Sequence, residues 1–303
     1  MKRRTLLKTM AGISALTSTG LLFPALATRA QTGERQKVDY KIKLSLNAFS
    51  FNRPLRDGEM DLFDLLEFCA GLGFDAIDPT AYYFPGYPEV PADDYLFEFK
   101  RQAFLKGLAI SGTGVRNDFG NPDENTRRND LIKNWIVAAS KMGAPVIRVF
   151  ARNTRAAGLT REQILERMVE DIRECAEYGK QHGVIVAVQN HNSFLKTAAQ
   201  TRELIERVDH EWFGLILDTG SYREGDPYLE ISEMIPHAVS WQLKELIYHD
   251  GDPSDVDLDK MVGIIRAGGY RGYVPIETLG PGDPRVKVTE FLQRFRTALS
   301  ATP

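Results

Sequence analysis

The sequence predicts an α/β fold: a single (β/α)8 TIM barrel behind an N-terminal export signal. Strand-type and helix-type hydrophobic patterns alternate from residue 42 to residue 299 and form eight pairs. Eight pairs in about 260 residues fit a closed barrel better than an open doubly wound sheet. No glycine-rich phosphate loop follows any of the strands, which counts further against an open nucleotide-binding sheet.

The leader comes first. Residues 1–30 open with MKRRTLLK, in which Arg3 and Arg4 are adjacent and Leu6, Leu7 and Lys8 follow. A weakly apolar stretch comes next, and Ala25-Leu26-Ala27 offers a small-x-small cleavage site. This combination predicts a twin-arginine signal peptide, the twin-arginine export machinery as a partner, and a periplasmic location. An ordinary secretory leader and an uncleaved membrane anchor are the alternatives. Residues 31–40 read as a polar linker, and 41–300 as the barrel.

Within the barrel, alternation predicts the first strand at 42–47. Leu62, Leu65, Leu66 and Cys69 share one face of a helix over 61–71. A short strand follows at 74–78, then a helix over 93–107 that stops at a glycine, and a strand at 108–113. Leu131, Trp135, Ala138 and Met142 mark a helix over 125–142, with Gly143 as its stop and a strand at 145–150 behind it. Thr160 and Gln163 form a capping box that opens a long helix to about residue 182. The second half repeats this rhythm. Its strands fall at 184–189, 213–218, 238–243 and 272–277, and its helices at 197–208, 228–235, 257–267 and 286–299. The first two of these strands are almost wholly apolar, as strands buried on both faces should be.

Composition excludes some function classes. The 303 residues are 43% hydrophobic and 26% charged, ordinary for a globular domain. Removing residues 1–30 takes away five basic side chains and no acidic one, leaving 33 basic against 41 acidic and a formal charge of −8. That sign, and the absence of a basic run, argue against a nucleic-acid partner. The two cysteines, Cys69 and Cys175, lie on apolar helix stripes and read as buried thiols. Self-association into a homo-oligomer stays open.

In such barrels the site lies at the C-terminal strand ends. The last four strands end in a polar series: Gln189 with His191, Asp218, Gln242 with Lys244, and Glu277. Two carboxylates and two amide oxygens converging at one mouth form an all-oxygen set suited to Mn2+, Mg2+ or Co2+. The competing reading is a set of satisfied polar side chains with no metal. The first half of the barrel would supply substrate contacts. Asn47 closes the first strand, Asp78 the second, Arg116 and Asn117 the third, and Arg152 the fourth. Tyr82, Tyr83 and Phe84 follow the second strand and would form an aromatic wall for the ligand, unless they merely pack the loop. His249 lies in a polar loop after the seventh strand.

These strand ends resemble the xylose-isomerase-like barrel family of sugar isomerases, ketose epimerases and inosose dehydratases. The resemblance rests on LILDTGS around Asp218, VPIETLG around Glu277, AVQNHN around Gln189 and SWQLKEL around Gln242 and Lys244. DPTAYYFPGYP from Asp78 and GTGVRNDF from Gly112 add to it. It implies a divalent metal held at positions 189, 218, 242 and 277, with a carbohydrate as the substrate. Two positions depart from the pattern: Gln189 replaces a glutamate and Gln242 a histidine. An amide is not a useful base, so a two-glutamate proton shuttle is not available here. The base would be Glu277, His191 or Lys244, and Lys244 has a second option as a fixed cation. Isomerisation or epimerisation of a non-phosphorylated sugar is the expected chemistry. Lyase action on a 3-keto sugar or glycoside is the first alternative, and a non-catalytic sugar-binding barrel the second.

Overall fold

The computed structural model describes residues 42–119, 125–151 and 158–301. The expected leader, the linker and Arg152 lie outside the described residues. Strands β1 (Ile42–Asn47), β2 (Ala76–Asp78), β3 (Ala109–Ile110), β4 (Thr113–Gly114), β5 (Val146–Phe150), β6 (Ile185–Gln189), β7 (Phe213–Asp218) and β8 (Ala238–Lys244) come in chain order. They are followed by β9 (Leu246–His249), β10 (Asp252–Asp255) and β11 (Gly272–Glu277). The helices are α1 (Asn52–Asp57), α2 (Leu62–Gly71), α3 (Asp93–Leu105), α4 (Asn125–Met142), α5 (Arg161–His182), α6 (Ala198–Val208), α7 (Pro227–Met234), α8 (Leu258–Ala267) and α9 (Pro284–Ala301).

All strands but β9 and β10 form one parallel sheet in the order β3-β2-β1-β11-β8-β7-β6-β5-β4. The third barrel strand, expected as one run over 108–113, is instead split at Ser111-Gly112. Its first half pairs with β2 and its second with β5. A bridge between Thr80 and Gly114 joins the two sides, so the sheet comes round as a nearly closed barrel. The expected helix starts hold. Thr160 and Gln163 exchange hydrogen bonds as a capping box, and Gly183 ends α5 at φ 69°. Two elements were not expected: the short helix α1, and an antiparallel hairpin of β9 and β10 between β8 and α8.

Period-two alternation sorts the strand residues. Leu46, Ile77, Val149, Val188, Leu217 and Ile276 belong to the large core between sheet and helices. Val146, Ala187 and Ile216 form a separate, small cluster. Two residues further along the same strands come Arg148, Gln189 and Asp218, all buried. The barrel interior therefore turns from apolar to charged toward the C-terminal strand ends, which is where the site forms. Cys69 and Cys175 are buried free thiols, as expected. Among the described residues no helix is long and apolar enough to cross a membrane.

Candidate functional site

A cavity of about 230 Å³ opens at the C-terminal end of the barrel. Asn47, Tyr82, Gln189, His191, Asp218, Gln242, Lys244 and Glu277 line it, so eight of the residues singled out from sequence meet in one place. Strand register explains the meeting. Asp218 on β7 stands opposite Gln242 on β8, and Lys244 stands opposite Glu277 on β11. Register partners on neighbouring strands lie about 5 Å apart, within reach of these side chains.

The cluster is tightly paired. The Lys244 ammonium donates to Glu277 Oε1 and also lies 3.6 Å from Asp218 Oδ2. The Gln189 amide N–H donates to Asp218 Oδ2 at 2.5 Å, and the Gly220 backbone N–H donates to Asp218 Oδ1 at 2.9 Å. Asn190 clamps the Asp218 backbone from both sides, accepting from its N–H at 2.7 Å and donating to its C=O at 2.9 Å. Asp218 is thus fixed in place through its main chain and both carboxylate oxygens.

Burial pushes the Glu277 carboxyl above the usual carboxylate range; Lys244 and Arg148 draw it back in part, while Asp218 adds to the rise. Burial opposes the charge on Lys244, but Asp218 and Glu277 outweigh it and hold the ammonium above its ordinary range. The Lys244 ammonium is therefore held in its charged form, and the Glu277 carboxylate binds a proton more readily than an exposed one.

Arg148 is a pocket residue that the sequence reading missed. It projects from the middle of β5, donates to the Tyr82 hydroxyl at 2.9 Å and to Gln189 Oε1 at 3.4 Å, and lies 4.1 Å from the centroid of the Phe150 ring. Its signal was a lone charge inside the apolar run VIRVF, two residues before the strand end. Phe49, Phe150, Arg223, Leu246 and Tyr248 also line the cavity. The Arg223 guanidinium stacks 4.0 Å from the Tyr248 centroid.

Several expected substrate contacts lie elsewhere. Asp78 is buried and is absent from the cavity lining; a Cβ on Gly112 would lie 3.4 Å from its Oδ2. Burial raises its carboxyl to about 6. Arg116 is exposed and sits over Tyr82, 5.6 Å from the ring centroid, outside the lining. Asn117 spends its amide on both backbone groups of Phe150. His249 is exposed on β9 beside Tyr228, because alternation along that strand turns Leu246 and Tyr248 to the cavity instead. Of the aromatic run, Tyr82 reaches the cavity, Tyr83 donates to Asn52, and Phe84 packs into the core against Trp135.

The four positions expected to hold a divalent ion do converge, but their partners are not those of ligands. Gln189 turns a donor, not an oxygen, toward Asp218. Its oxygen faces Arg148, and reversing the amide would set N–H groups against the guanidinium. Lys244 already places a positive charge against both carboxylates. Among the described residues no group of three or more His, Cys, Asp or Glu side chains is placed to hold a metal. The donor set does not fit a divalent cation.

Comparison with known proteins agrees with the geometry of the barrel. The inosose isomerase of Halalkalibacterium halodurans is 25% identical over 240 residues, covering 71% of this chain and 82% of that protein. D-psicose 3-epimerase from Clostridium cellulolyticum, solved with D-tagatose, superposes with a TM-score of 0.70 at 17% identity, covering 85% of this chain and 99% of that one. The IOLI protein, solved with a zinc atom, superposes at 0.66 with 18% identity over 84% of this chain and 96% of that one. The family model described as xylose isomerase-like TIM barrel matches residues 66–297, and the chain belongs to that family.

Proposed function

We propose that the protein is a carbohydrate-acting enzyme that removes a proton next to the carbonyl of a non-phosphorylated sugar or keto-sugar. The observation that carries this reading is the Lys244–Glu277 pair on the cavity floor. A buried carboxylate with raised basicity takes the proton from carbon. The electron pair moves onto the carbonyl oxygen, and the adjacent ammonium stabilises the enediolate that forms. The Arg148 guanidinium and the amides of Asn47 and Gln242 would hold hydroxyls, and Tyr82 and Phe49, with ring centroids 6.4 Å apart, would cover a sugar face. Isomerisation or epimerisation is the leading chemistry, in line with the isomerase and epimerase among the similar proteins. The Arg3-Arg4 leader supports export by the twin-arginine machinery to the periplasm, where free sugars are the more available substrates.

Gln189 favours a second reading. With an amide where a second base would stand, the proton work rests on one side, and expulsion of a β-leaving group by a lyase is the natural alternative fate of the enediolate. The test is to incubate the purified protein with free ketoses and 3-keto sugars in D2O and follow the C–H signal next to the carbonyl by NMR. Solvent exchange is expected, and Glu277→Gln should slow it by about 10²–10⁴-fold. Sugar binding without exchange would identify a binding barrel instead.

A further inference from the structure

We propose that Lys244 takes the place of a divalent cation at this site, and that the protein does its work with no resident metal. The inference concerns charge and donor direction, and it stands whether or not the sugar reading above is correct.

Three observations carry it. The two carboxylates share one built-in cation: Lys244 contacts Glu277 Oε1 and comes within 3.6 Å of Asp218 Oδ2, from a side chain whose Cα is the register partner of Glu277. A divalent ion between the same carboxylates would have to share that space with an ammonium, charge against charge. Next, Gln189 is locked as a donor. Its amide oxygen faces Arg148, and Arg148 lies where it does because Gly114 has no side chain: a Cβ there would come within 2.6 Å of Arg148 Nε. The amide N–H thereby points at Asp218, filling from the protein side an oxygen that a metal would need. Last, the cavity set contains Gln242, an amide, where an imidazole would have given a strong ligand. Gln189 and Lys244 thus each find a partner inside the cluster, and Gln242 adds no strong ligand, so the three read as one arrangement.

Lys244 also keeps Glu277 usable. An ammonium is a donor to one oxygen, Oε1, and leaves the other oxygen of the carboxylate for a substrate proton. It supplies one positive charge next to the reacting oxygen without a shell of further ligands.

The experiment uses the full chain, purified from the cytoplasm without chelator. Metal content is measured by elemental analysis, and thermal unfolding is followed with EDTA and with excess Mn2+, Co2+ or Zn2+. Far less than one ion per chain and an unchanged Tm are expected. One tightly held ion per chain, or a Tm that EDTA lowers, overturns the proposal. As a positive control, the triple variant Gln189→Glu, Gln242→His and Lys244→Gln, which removes the built-in cation as well as restoring ligands, should gain a metal-dependent rise in Tm of several degrees. If that variant fails to fold, the wild-type metal content still decides the matter. A metal-free wild type that turns over no sugar sinks the functional reading and leaves this proposal standing.

Discussion

At the scale of single residues, Gly114 decides where Arg148 lies. A methyl group there would meet Nε at 2.6 Å and Nη2 at 2.7 Å. The guanidinium would have to leave Tyr82 and Gln189, and the Gln189 amide would lose the partner that sets its direction. Gly114→Ala should therefore cost about 1–3 kcal/mol by overpacking and should weaken substrate binding, seen as a lower urea midpoint and a higher KM. A variant with wild-type stability and kinetics would show that Arg148 has room to move. The residues around this contact were legible in the sequence to different degrees. Asp218 and Glu277 close apolar strands, so their place at the mouth followed from position alone. Arg148 did not, because a charge inside a strand is placed by the space opposite it, and that space is a glycine 34 residues earlier in the chain. Asp78 shows the converse: it closes its strand but is buried outside the cavity lining.

At the scale of elements, the hairpin of β9 and β10 forms one wall of the cavity. Its two-residue turn is Asp250-Gly251, with φ of 49° and 91°. Both values are positive, as a type I′ turn requires, and Asp-Gly is a strong sequence signal for such a turn. The Asp-Gly signal is present in the sequence, but the polar residues that follow it on β10 lack the apolar alternation of a strand, so the segment reads as a loop. The short helix α1 was hidden in a different way, since Pro54 falls inside it. The long helices were read correctly from their apolar faces and caps, because those signals are local. Gly251 has open space around it, so Gly251→Ala tests conformation alone. Strain of about 1–2 kcal/mol at positive φ should fall on the hairpin, moving Leu246 and Tyr248. KM is expected to rise with kcat nearly unchanged, and Tm to shift little because the barrel does not depend on this turn. A fall in kcat with unchanged KM would place the hairpin in the chemistry rather than in binding.

At the scale of the whole molecule, the barrel carries its charged end at a cost in stability. Asp78, Asp218 and Glu277 are buried together with Arg148 and beside the half-buried Lys244, and buried charge is tolerated only through such pairing. The eightfold alternation that made the fold legible says nothing of this cost, which depends on distances across the barrel. It is measurable through pH. Asp78 rises from 3.8 to about 6 on folding, because burial disfavours its charged form more than Arg148 favours it. A folded-state value above the unfolded one means that the folded protein binds the proton more tightly. The stability from Asp78 is then fully present below about pH 4 and is lost as pH rises through about 6, a change of at most about 3 kcal/mol. Glu277 moves in the same direction, also through burial. Asp78→Asn removes the Asp78 share of the proton linkage and leaves that of Glu277, so the fall in stability that the wild type shows between about pH 4 and pH 6 should be smaller in the variant. Urea unfolding of both proteins across this range reads the difference directly. Parallel curves would mean that Asp78 keeps an ordinary carboxylate affinity for protons, and that the charged end of the barrel is better solvated than its burial implies.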